Sequence, residues 1–99
     1  MMNPIPKKSI KLKRWSLEWK NLVAEVFKRD FHTCQICHHN YPAASLCPHH
    51  IIPAGRCRFD AEWNLLTVCL ACHRKLHDGN LDKSVDDLIV EHGLEGWAC

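Results

Sequence analysis

Two Cys-x-x-Cys pairs, Cys34-Gln35-Ile36-Cys37 and Cys69-Leu70-Ala71-Cys72, enclose the doublet His49-His50, and His73 and His77 follow the second pair. Two residues between cysteines let both thiolates of a pair reach one ion, and two such pairs complete a tetrahedron around zinc. Four thiolates leave no open position for water or substrate. An ion held by Cys34, Cys37, Cys69 and Cys72 is therefore expected to stabilise the fold and not to react. The chain has seven cysteines, an odd number that leaves at least one thiol unpaired under any disulfide scheme, and eight histidines. Cys47, Cys57 and Cys99 have no partner at ligand spacing and read as small apolar fillers or exposed thiols.

The histidines form a second constellation. Residues four apart on a helix share a face, so His73 and His77 present two imidazoles to one ion. His49 and His50 are neighbours on an expected strand, where successive side chains point to opposite faces, so they do not easily serve the same ion. If His49 completes a three-histidine site with His73 and His77, the ion keeps open positions, which is the catalytic and not the structural pattern. His50 then stands beside the ion, free to act as a base.

These residues need elements to hold them. Ser16 is a plausible N-cap, and Trp19, Leu22, Val23, Val26 and Phe27 recur at helical spacing up to Lys28 and Arg29, predicting one amphipathic helix. The segment from Asp30 to His39 loses that period, and Asn40, Tyr41 and Pro42 read as a turn. A short strand is expected over about Cys47 to Ile52, ended by Pro53, and a second over Trp63 to Val68, making a hairpin across a loop that runs from Pro53 to Ala61. Cys69 to His77 predicts a helix closed by Asp78, Gly79 and Asn80. Ser84, with Asp86 and Asp87 behind it, starts a last helix that packs through Val85, Leu88, Ile89 and Leu94 and ends before Gly93.

A chain of 99 residues fits one domain whose core alone gives marginal stability, and metal is the expected staple. Residues 1-15 read as a basic arm and 16-99 as the domain. The segment from Met1 to Arg14 is basic and contains Pro, unlike a secretory signal, and no apolar stretch is long enough to span a bilayer. A soluble, cytoplasmic protein is expected, and in a reducing compartment paired cysteines favour zinc over disulfides. The net charge of +2 is too small to require a polyanionic partner. Its distribution says more: Lys7, Lys8, Lys11, Lys13 and Arg14 crowd the amino end, either as a solvated arm or as one lying along phosphates, while acidic residues gather from Asp78 to Glu95.

The elements CxxC, His49-His50-Ile51-Ile52-Pro53, Asn64-Leu65-Leu66-Thr67-Val68-Cys69, CxxCH and the following His77 occur in the order and approximate spacing of the HNH, or ββα-metal, endonucleases. The chain resembles that family over roughly Phe31 to Gly79. The resemblance implies a small α+β fold: a ββα-metal core with a structural zinc, flanked by an N-terminal and a C-terminal helix. It implies that His49 and His73 are metal ligands, with His77 matching members that place a second histidine one turn later. It implies that His50 is the general base, and that Asn64 braces the hairpin loop and orients the base. Many relatives carry Asp at the position of His49, and imidazole shifts the preference for the catalytic divalent ion toward Mn, Ni or Zn and away from Mg.

The function expected is therefore DNA hydrolysis with little sequence specificity and salt-sensitive binding through phosphates. Arg56, Arg58, Arg74 and Lys75 stand equally as phosphate contacts or solvated charges. Small free-standing HNH proteins are similar to those that bacteriophages encode beside their DNA-packaging machinery, which adds a terminase or packaging protein as an alternative partner. The alternative from another class is a non-catalytic zinc-stapled module that binds DNA or protein.

Overall fold

A computed structural model describes residues 11–54, 58–79 and 84–94. Lys7 and Lys8 of the basic run, Arg56, Cys57, Asn80, Glu95 and Cys99 lie outside the described residues. The element order is helix α1 (Leu17–Arg29), strand β1 (Leu46–His50), strand β2 (Leu65–Cys69), helix α2 (Leu70–Asp78) and helix α3 (Val85–Glu91), with single 3-10 turns at Ala43–Ser45 and Glu62–Asn64. This is a small α+β architecture with a two-stranded antiparallel sheet. Among the described residues no helix is long and apolar enough to cross a membrane.

Helix α1 begins as its sequence predicts. The Ser16 side chain accepts from the Trp19 N–H, satisfying one of the free amides of the first turn. Trp19, Val26 and Phe27 are buried at helical spacing. The far end is tied down by charge: Arg29 donates to both carboxylate oxygens of Asp30 and to the carbonyls of Glu62 and Leu65. Asp30 in turn accepts from the Thr67 N–H, and the Thr67 hydroxyl donates to the Val26 carbonyl. The helix is thereby stitched to β2.

The strands pair from Leu46 opposite Cys69 to His50 opposite Leu65. Every residue of β2 is buried, whereas in β1 only Leu46 and His49 are. Both strands differ from their expected limits: β1 stops at His50 and not at Ile52, and β2 starts at Leu65 and not at Trp63. Asn64 is the reason. It closes a 3-10 turn through its own N–H to the Ala61 carbonyl, then offers its carbonyl to the Ile51 N–H and its side-chain oxygen to the Ile52 N–H at 2.8 Å. The ladder is thus continued by the backbone carbonyl and the side chain of one residue and not by another pair of strand residues. The Asn64 amide also donates to the carbonyls of Ile52 and Phe59, so one fully buried residue braces the loop that Pro53 opens.

Helix α2 starts one residue later than expected, because Cys69 ends β2 and serves as the N-cap, its sulfur accepting from the Cys72 N–H. Gly79 closes the helix in the left-handed conformation, φ 71°, which favours glycine. Helix α3 opens with a reciprocal cap between Ser84 and Asp87 and buries Leu88 and Ile89, with Leu94 folding back under it. Its partners in the core include Ile51, Phe59 and Val68, while Trp19, Val26 and Leu65 pack together under α1.

Replacing Asn64 by Ala removes the acceptor of the buried Ile52 amide and the amide that donates to the carbonyls of Ile52 and Phe59. The cost expected is about 2–3 kcal/mol, read as a lower denaturant midpoint at fixed zinc concentration. A change within about 0.5 kcal/mol, typical of an inert surface position, contradicts the bracing role.

Candidate metal centres

The turn that carries the first cysteine pair is built from backbone. Thr33 and Asn40 form an isolated antiparallel bridge, the Cys34 N–H donates to the His39 carbonyl, and the His38 N–H donates to the Cys34 carbonyl. Inside this turn the Cys34 sulfur accepts from the N–H groups of Ile36 and Cys37, at 3.4 Å each. The second pair repeats the device at the β2–α2 junction, where the Cys69 sulfur accepts from the Cys72 N–H. The Gln35 N–H donates to the Thr67 carbonyl, which docks the first turn on β2.

The four sulfurs then lie within 4.8 Å of one another. Those of Cys37 and Cys69 are 3.9 Å apart, close to the ~3.8 Å edge of a tetrahedron with zinc–sulfur bonds of about 2.3 Å. The thiols answer to their surroundings unequally. Burial raises the Cys37 thiol, but hydrogen bonds from the His39 side chain and backbone and from Tyr41 outweigh it and bring the thiol down to about 5. Burial, followed by the neighbouring Cys69 and Cys34, pushes Cys72 up. Four thiolates this close require a cation to be charged together, and the donor set fits zinc. Cys47 remains outside the group of four, its thiol pushed up to about 11 by burial first and by Cys69 and Cys34 second, as suits a small apolar filler.

The second centre forms between β1 and α2. His73 and His77, one turn apart, bring their rings to 4.5 Å and their Nε2 atoms to 3.1 Å. His49 reaches them from β1, edge-on, with ring centroids 5.7 Å from His73 and 6.1 Å from His77. One ligand atom from each of the three lies within 4.8 Å of the others. Metal–nitrogen bonds of about 2.0–2.1 Å place ligand nitrogens about 3–3.4 Å apart, so the His73–His77 spacing fits a shared ion. A further sign is the Nε2 of His49, which is buried and has no hydrogen-bond partner. Buried polar atoms seldom stay unpaired, and a lone pair in this position suits a metal ligand. Burial, reinforced by His73, His77 and His50, lowers His49 to about 4, and burial with His77 lowers His73 as well. Both rings are thus kept neutral, the form that ligates.

His50 turns the other way. While His49 faces α2, the His50 ring stacks on Trp19 of α1, with centroids 6.2 Å apart and planes at 14°. The alternation expected of a strand is therefore present, and both rings still open on one groove of about 850 Å³ between the helices, whose lining includes Arg14, Trp15, His49, His50, His73 and His77. Arg14 lies over the Trp19 ring at 4.4 Å, and Lys11 and Lys13, just before it in sequence, are exposed. Arg74 and Lys75 are exposed on α2.

Two expectations change at this point. Asn64 braces the loop but makes no hydrogen bond to His50. The His50 ring pairs instead with Asp60, whose Oδ1 lies 2.8 Å from the imidazole Nε2. Arg58 is not a solvated charge either, since its guanidinium is engaged by Asp60 and by the Leu12 carbonyl. Burial by itself raises the Asp60 carboxyl, but hydrogen bonds from Arg58, His50 and the Leu12 N–H together hold it below the usual carboxylate range. A trace of this was available earlier, for Asp60 is the single acidic residue between Pro53 and Ala61. No family model, curated protein or solved structure matches the chain.

Two classes of variant separate the centres. Cys34→Ser should abolish stoichiometric zinc and the folded circular dichroism spectrum together, because the metal free energy is part of the folding free energy. His73→Ala should keep zinc and spectrum while weakening a second divalent site by at least about tenfold, the least expected for a damaged ligand set, as followed by calorimetric titration with Mn or Ni. Retention of full second-site affinity would show that the three histidines do not share an ion.

Proposed function

We propose that this chain is a metal-dependent DNA endonuclease of the HNH, ββα-metal, kind, with His50 as general base. The observation that carries the reading is the convergence of His49, His73 and His77 around the unpartnered Nε2 of His49, with a fourth imidazole next in sequence that is not a member of that set. The order of β1, β2 and α2, clamped by four cysteines, supports the same assignment.

Each residue then has a separate task. His49, His73 and His77 would hold a divalent ion through their imidazoles. An ion bound there would supply Lewis acidity for phosphodiester hydrolysis. His50 removes a proton from the water that attacks phosphorus, which requires an unligated ring with a free lone pair. Asn64 acts at a distance by holding the backbone of Ile52, next to the groove-lining Pro53, and that of Phe59. Arg14, Lys11 and Lys13 supply positive charge at one side of the groove for a polyanionic backbone, so binding is governed by phosphate contacts, weakens steeply with salt and reads little sequence.

His50→Ala should lower the rate of supercoiled-plasmid cleavage by about 10²–10⁴-fold, the usual contribution of a general base. Zinc content and second-ion affinity should stay unchanged. Cleavage at the parental rate removes His50 from the reaction. A parent chain that holds one zinc, binds no second ion and cuts no DNA would instead be a zinc-stapled binding module.

A further inference from the structure

A general base is useful only if its lone pair sits on the correct nitrogen, and the surroundings of His50 decide which nitrogen that is. The Asp60 side chain is fully buried and divides its two oxygens between different partners. Oδ2 accepts from Arg58 Nε at 2.8 Å and from the Leu12 N–H at 2.8 Å, leaving Oδ1 for His50 Nε2 at 2.8 Å. Arg58 and a backbone amide have only protons to offer, so the carboxylate is locked in this orientation from behind. An ionised carboxylate only accepts, so Nε2 must carry a proton. A neutral imidazole has one N–H, which leaves the lone pair on Nδ1. Trp19 stacks on the ring and fixes its plane.

We propose that Asp60 is the positioning residue of this centre, holding His50 in the Nε2–H tautomer so that Nδ1 is the nitrogen that receives the proton of the attacking water. The role in cleavage rests on the nuclease reading, whereas the tautomer assignment rests on the hydrogen bonds alone. Arg58 shares in the device, because its second donor reaches the Leu12 carbonyl and ties the chain before α1 to the same carboxylate.

The test is Asp60→Asn. An asparagine amide keeps one acceptor oxygen, and the two fixed donors, Arg58 and the Leu12 N–H, claim it. The NH2 group is then left facing Nε2, which must accept, so the imidazole proton moves to Nδ1 and the lone pair is lost from the working side. Long-range proton–nitrogen NMR spectra of the zinc-loaded, histidine-labelled full chain report the tautomer without substrate or second ion, with His50→Gln identifying the His50 signals. Expected are Nε2–H in the parent and Nδ1–H in the variant, together with a loss of plasmid cleavage of about a thousandfold in kcat at similar KM and unaltered zinc content. A parent spectrum with the proton on Nδ1 overturns the assignment without any variant, which covers the case in which Asp60→Asn does not fold. An unchanged tautomer in a folded variant overturns it as well. A reversed tautomer with undiminished cleavage overturns the positioning role. A parent chain that cuts no DNA fails the nuclease reading separately, because the spectra still decide the tautomer.

Discussion

The sulfur of Cys69 is the point at which strand, helix and cysteine cluster meet. It is the last residue of β2, the N-cap of α2 and one of the four clustered thiols. Because one atom accepts from the first turn of α2 while belonging to a cluster of four thiols that could hold a metal ion, the direction in which α2 leaves the sheet is tied to that cluster and not to packing alone. A short helix with only Cys72 buried would otherwise be weakly held. The first cysteine pair closes the clamp from the other side, docked on β2 through Gln35. Everything proposed for the histidines depends on this junction, because α2 carries two of the three rings and β1 carries the third.

The histidine cluster shows how burial and chemistry select one another. Three cationic imidazoles at these distances would repel, and His49 has lost most of its contact with water, so the neutral form is favoured in His49 and His73. A neutral imidazole without a hydrogen-bond partner is costly to bury, and a cation that accepts its lone pair removes the cost. His50, one residue on, escapes this environment because strand geometry turns it toward α1 and the Asp60 carboxylate. Adjacent residues of the same type thus acquire different chemistry from the two sides of one strand.

The loop between the strands divides its polar work between two residues. Asn64 satisfies the backbone where the ladder stops, with both its oxygen and its amide used on Ile52 and the amide shared with Phe59. Asp60 does the corresponding work for side chains, gathering His50, Arg58 and the Leu12 amide around one buried carboxylate. Each group is satisfied only when these described residues keep this one arrangement.

Cysteine spacing, the i, i+4 histidines, the period of α1 and the caps at Ser16 and Ser84 were all legible in the sequence, because each is a local relation whose geometry the backbone of a single element imposes. The residues placed in both donor sets could be named in the same way, since a ligand pair within one turn needs no tertiary knowledge. The ends of β1 and β2, the separation of His50 from the cluster of His49, His73 and His77 and the partner of His50 were decided by the fold. Strand limits depended on where Asn64 in another segment stepped in for the ladder. Asp60 stood ten residues from His50, with no periodicity to link them and with Arg58 and Leu12 fixing its orientation from two further directions. Contacts of that kind are made by buried groups that must find whatever partner the packed chain brings near, and only the three-dimensional arrangement tells which one it is.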